Sequence, residues 1–163
     1  LNNVIAIHPE SEVSVEAKRI LGLIKQGITV EAEEKDNSIP YIHLFNADFH
    51  LIAIIPSEDK KTNKYKVDIS NFNSKYYSEK TYNVNHILID KETQLITIKP
   101  LKGYDAAIDY FKSFKLNKDN LKDLNIKKYQ YFLISNENFA LFYKNKDIKG
   151  YLKFFEKNFD IKL

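Results

Sequence analysis

Between Phe49 and Ile55 apolar residues occupy both alternating sets of positions. Phe49, Leu51, Ala53 and Ile55 form one set, and Ile52 and Ile54 beside His50 form the other. A strand of this kind is enclosed on both faces, and similar residues upstream extend the expected strand over Tyr41 to Pro56. The polar run SEDKKT ends it, and the period then changes: Tyr65, Ile69, Phe72 and Tyr76 recur at helical spacing. From Asn83 to Leu101 two β-branched arms, NVNHILI and QLITIKPL, flank the polar turn DKET and predict a hairpin. YDAAIDYFKSFK then carries Ala107, Tyr110, Phe111 and Phe114 on one helical stripe, and KYQYFLIS reads as a strand. Near the end, Asp147 can cap a helix whose face is Ile148, Tyr151, Leu152, Phe155 and Phe159.

This order, β-α-β-β-α-β with extra C-terminal helices, predicts an α+β fold of ferredoxin-like plan. Such a fold is a four-stranded antiparallel sheet with two helices on one face. The aromatic stripe of the terminal helix is expected on the second face of the sheet or along its edge. Ahead of this domain, Val13, Ala17, Ile20, Leu21 and Ile24 mark one buried face of a helix. Ser11 or Ser14 can cap it, Gly27 can close it, and Pro9 stands in the preceding turn. A lone helical hairpin leaves an apolar stripe uncovered, so residues 1–27 are expected to need a neighbour such as upstream repeats. The acidic connector ITVEAEEKDNSIP, residues 28–40, reads as a linker to a domain over 41–163.

Composition narrows the function. The chain has 163 residues, 44% hydrophobic and 29% charged, as a folded domain requires. No apolar run is long enough to span a bilayer and no cleavable signal pattern opens the sequence. Met is absent, from position 1 onward, and the chain reads as a piece of a longer protein. The net charge of +3 is small, and Arg19 is the only arginine. Planar bidentate recognition of phosphate or guanine is mainly arginine work, so nucleic acid is not an expected partner.

Catalytic chemistry finds little support. There is no Cys, and His8, His43, His50 and His86 share no ligand spacing. His50 and His86 both fall on expected strands and could meet, but a satisfied strand or surface histidine is the better reading. Asp105 and Asp109 lie four apart on the polar face of a helix, where nothing desolvates either. No nucleophile elbow, phosphate loop or H-E-x-x-H motif occurs. The expectation is a non-enzymatic domain without cofactor or metal.

Three binding roles then compete. An RNA module would place aromatic residues on the central strands, and QLITIKPL has none. A small peptidoglycan-binding module of the SPOR type shares the strand order. Protein docking through the sheet or an added helix is the third. Phe72, Asn73 and Tyr76 in ISNFNSKYY are assigned mainly to core. Tyr77, which cannot share the face of Tyr76, and Phe139, Phe142 and Tyr143 in NENFALFYKNKD are the candidate partner contacts.

Several stretches carry a family resemblance. DISNFNSKYYSEKTYNV, ILIDKETQLITIKPL, AAIDYFKSFK and YFLISNENFALFYKNKDIKGYLKFFEKNF resemble the C-terminal region of large tetratricopeptide-repeat lipoproteins of Bacteroidota. These are the gliding-motility and type IX secretion proteins of the SprE/PorW kind. HPESEVSVEAKRIL is similar to the closing helix of their last repeats, with His8 where Tyr is commoner. The resemblance covers nearly the whole chain and is weakest in the acidic connector. It implies that residues 1–27 end a tetratricopeptide-like repeat. It also implies a non-catalytic scaffold on the periplasmic side of the outer membrane, held there by an upstream lipid anchor. The implied partners are other proteins of the secretion and motility machinery, with peptidoglycan as the alternative. No functional residue transfers, because the family has no catalytic motif to match.

Overall fold

The strands form where the apolar runs predict them, in a computed structural model that describes residues 41–117, 119–124, 128–159 and 161. The helical hairpin and linker expected over residues 1–40 lie outside the described residues. Strands β1 (Asp48–Pro56), β2 (Asn83–Leu88), β3 (Thr93–Lys102) and β4 (Gln130–Ser135) make one sheet in the order β2-β3-β1-β4. Every neighbouring pair is antiparallel. The described residues therefore form an α+β fold, with four helices beside a four-stranded antiparallel sheet.

The register sorts side chains by face. Leu51 and Ala53 stand beside Ile98 and Ile96 of β3 and beside Leu133 and Tyr131 of β4. Ile52 stands between Thr97 and Phe132 on the opposite face. The β1/β3 ladder shifts between Phe49 and Leu51, opposite Lys99 and Pro100, and proline has no N–H to give a ladder. His50 follows the face of Ile52, whereas His86 pairs with Ile96 and follows the other. The two histidines thus cannot meet, because the sheet itself separates them.

Helices α1 (Thr62–Tyr76) and α2 (Tyr104–Leu116) cover the face of Leu51 and Ala53. Their stripes, Tyr65, Ile69 and Phe72 with Ala107, Tyr110, Phe111 and Phe114, are buried. Phe72 meets Phe114 edge to face with centroids 5.8 Å apart, and Phe114 packs on Tyr131 of the sheet. Tyr76, assigned to the same stripe, instead remains partly exposed at the last turn of α1.

Two further helices treat the rest of the sheet. In α3 (Asn136–Asn145) the Ser135 side chain caps the N-terminus by accepting from the Asn138 N–H. Lys146, in the left-handed region at φ 57, closes its C-terminus. Asp147 then caps α4 (Ile148–Asn158) by accepting from the Gly150 N–H at 2.9 Å. A side chain at 150 would collide with that carboxylate, since a Cβ there would lie 1.9 Å from Asp147 Oδ2. Helix α3 crosses the face of Ile52, where Phe142 packs on Phe132. Helix α4 runs along the outer edge of β4: the Tyr151 hydroxyl donates to the Leu133 carbonyl at 2.9 Å. Phe155 touches both Phe132 on one face and Phe111 of α2 on the other. The β2 edge is different, being mostly exposed and uncovered among the described residues.

The strand expected over Tyr41 to Pro56 begins only at Asp48. Residues 41–47 run as an irregular segment instead, although Tyr41 and Leu44 pack against the core. The reason lies in the partner. The side-chain amide of Asn138 donates to the Ile42 carbonyl at 2.7 Å and its Oδ1 accepts from the Ile42 N–H at 3.1 Å. One side chain thereby satisfies backbone groups that a neighbouring strand would otherwise have to meet.

Candidate functional site

The four candidate aromatics separate into a buried residue, an exposed stack and the wall of a cleft. Phe142 has no exposed surface and lies against Phe132 and Tyr151. It is a core residue, not a partner contact, because α3 turns that position straight onto the sheet. Phe139 and Tyr143, one helical turn apart, flank it and stack with centroids 6.1 Å apart. Phe139 is half-buried, whereas Tyr143 keeps 43% of its surface exposed. The stack is thus an aromatic step that begins inside the domain and emerges on the surface of a helix capped at both ends.

Beneath Phe139 lies His50, its ring 4.8 Å away and its side chain almost fully buried. Its Nε2 lies 2.5 Å from Asn136 Oδ1, an acceptor, so the proton of the neutral ring belongs on Nε2. Nδ1 is buried without a partner among the described residues. Burial lowers the His50 pKa below its ordinary 6.5; Lys99 adds to this, while the Asn136 bond and Asp48 oppose it. As pH falls through 6.5 the unfolded chain takes up a proton that the folded chain refuses until its own lower pKa. Stability should therefore fall across that window and level off below it. His43, also lowered by burial, contributes with the same sign. Thermal melts between about pH 5 and 8 should show a smaller acid-side decline in His50→Gln than in the parent chain. Equal declines would mean that His50 is not a source of the effect.

Tyr77 caps the C-terminal end of α1 and is half-buried, so it is neither plain core nor a free surface ring. It contacts Phe72, Tyr82 and Tyr110, with the Tyr110 centroid 5.0 Å away. Beside it opens a cleft of about 220 Å³ between the end of α1 and the start of β2. Ser70, Asn73 and Ser74 line one wall, and Thr81 and Tyr82 join Tyr77 on the other. Asn73 is only 7% exposed. Its Oδ1 accepts from the Tyr110 hydroxyl at 2.5 Å, and burial holds that phenol well above its ordinary pKa. The other half of the amide, Nδ2, has no acceptor among the described residues.

The remaining polar cluster is a clasp. Asp59 Oδ2 accepts from the Tyr65 hydroxyl at 2.9 Å and the Tyr129 hydroxyl at 2.5 Å, while Oδ1 accepts from the Lys61 N–H. Burial alone would raise this carboxyl, but the Tyr129, Lys61 and Tyr65 bonds and Lys128 together hold it below its usual range. A carboxylate so stabilised is a poor proton acceptor. The cluster ties the loop ahead of α1 to the start of β4.

Among the described residues no three His, Cys, Asp or Glu side chains converge as a metal site. No described helix is long and apolar enough to cross a membrane. Asn136 and Asn138 escaped the sequence reading, because an isolated asparagine carries no pattern that separates a buried bond-maker from a surface residue; Asn73, assigned mainly to core, is indeed buried. The chain matches no protein-family model, no curated protein and no solved structure.

Proposed function

We propose that this chain is a non-catalytic interaction domain of an outer-membrane lipoprotein scaffold, serving type IX secretion and gliding motility from the periplasmic side. The observation that carries the docking role is the Phe139–Tyr143 stack. It offers an aromatic anchor on a rigid helix, and partly exposed tyrosines of this kind concentrate binding energy in protein interfaces. The covered sheet supports the same reading, since α3 lies over the face an RNA module would use.

The association with secretion and motility rests on the residues that resemble the tetratricopeptide-repeat lipoproteins, DISNFNSKYYSEKTYNV and YFLISNENFALFYKNKDIKGYLKFFEKNF among them. The ferredoxin-like plan is supported by the order β2-β3-β1-β4 and by the packing of α1 and α2 on one face. A tetratricopeptide-like hairpin ahead of the domain rests on HPESEVSVEAKRIL alone.

Affinity capture from Bacteroidota membranes tests the reading. The chain should co-purify translocon or motility proteins, and Tyr143→Ala should reduce their recovery about tenfold, as loss of one aromatic anchor does. Tyr143→Ala should keep the parent melting temperature. Capture that excludes those proteins, or that ignores position 143, would count against the proposal.

A further inference from the structure

We propose that the cleft between the end of α1 and the start of β2 binds one saccharide unit of a neutral glycan. This goes beyond the docking role, which needs no small ligand and uses a different surface.

Four features of the cleft point to that ligand class. The first is size: about 220 Å³ falls below the ~300 Å³ at which pockets for drug-sized molecules begin, which suits a single small ring. The second is the lining, rich in Ser and Thr hydroxyls that both donate and accept, as sugar hydroxyls do. The third is the aromatic wall. Tyr77 and Tyr82 present ring surface for the C–H faces of a sugar, and their contacts with Phe72 and Tyr110 fix that wall before any ligand arrives. The fourth is Asn73. It lines the cleft, it is more than nine-tenths buried, and its Nδ2 donor is unmet. Buried donors in native proteins nearly always find partners. Nδ2 is itself closed off from solvent, so a sugar reaches it only by drawing the Asn73 side chain toward the cleft. Because Tyr110 already occupies Oδ1, the partner met there would be an acceptor, such as a sugar hydroxyl or an acetamido carbonyl.

Charge argues against phosphorylated ligands. Among the described residues Lys80 is the only cation lining the cleft and no carboxylate lines it, so these residues form neither a phosphate clamp nor a cation site.

The test is a titration of the isotope-labelled chain with an N-acetylglucosamine tetramer and, separately, with a glucose tetramer, followed by NMR. At up to about 10 mM sugar, well above the ~1 mM dissociation constant expected of one shallow subsite, at least one sugar should bind saturably. The shifts should centre on Ser70, Asn73, Ser74 and Thr81 and include the Asn73 side-chain amide. A preference for the N-acetylated sugar would assign the Nδ2 acceptor to the acetamido carbonyl; equal binding would assign it to a hydroxyl. Ser74→Trp and Thr81→Trp each fill the cleft from an exposed position. Both should keep the parent melting temperature and weaken binding about tenfold or more. No saturable shift with either sugar, shifts centred elsewhere, or full binding in both variants would overturn the proposal.

Discussion

A chain ending at Lys146 is expected to lose its cooperative thermal transition and to aggregate. The cut removes Tyr151, which is fully buried, together with the nearly buried Phe155 and Phe159. Aromatic side chains bury about 150–250 Å² each when enclosed. At roughly 25 cal/mol per Å² the three together come to about 11–19 kcal/mol as an upper bound. That is comparable with the ~5–15 kcal/mol that holds a whole domain folded. The damage does not stop there. Phe132 and Phe142 lose the ring of Tyr151, and the Leu133 carbonyl on the edge of β4 loses its donor. Circular dichroism melts with size-exclusion chromatography would read the result. An unchanged melting temperature in a monodisperse truncated chain would mean that α4 is a docking appendage and not part of the core.

The second large effect is expected at Phe72→Ala. This ring is fully enclosed and touches Tyr76, Tyr77, Tyr110 and Phe114, so it joins α1 to α2 and supports the wall of the cleft. Truncating an enclosed phenylalanine costs about 3–5 kcal/mol through lost transfer energy and the cavity left behind. For a domain of this size that lowers the melting midpoint by about 10 °C or more. Val67→Ala, at an exposed position on the same helix, should change stability by less than about 0.5 kcal/mol. A Phe72→Ala loss below about 1 kcal/mol would show that the two helices do not depend on each other through this ring.

What the sequence revealed depended on whether the buried face was apolar. The stripes of α1, α2 and α4 repeat at three and four residues, so Ile69, Tyr110 and Tyr151 could be placed inside with no structure at hand. Helix α3 hides the same period, because its inner side reads Ser135, Asn138, Phe142, with polar atoms in two of three places. Phe142 therefore looked no different from Tyr143. Residues 41–47 misled for a related reason. Their apolar content imitates a strand, but at Ile42 the hydrogen-bond partner is a side chain 96 positions away. The faces of His50 and His86 depend on strand register, and a single strand read alone gives only its own alternation. The cleft was equally hidden. Asn73 could be assigned to core from the sequence, but not its bond to Tyr110, which comes from another helix.

The unequal edges of the sheet limit how copies of this domain can join. Helix α4 seals β4, while β2 presents NVNHIL, a run without Lys, Asp, Glu or Pro to repel another strand. A body with one sticky side can be matched once and is then used up. Strand-to-strand joining through β2 would give a closed pair with a continuous eight-stranded sheet, twice the four strands of one copy, and no third copy could extend it. Among the described residues the C-terminal helix thus covers one of the two edges through which a sheet could be extended, as well as being part of the core.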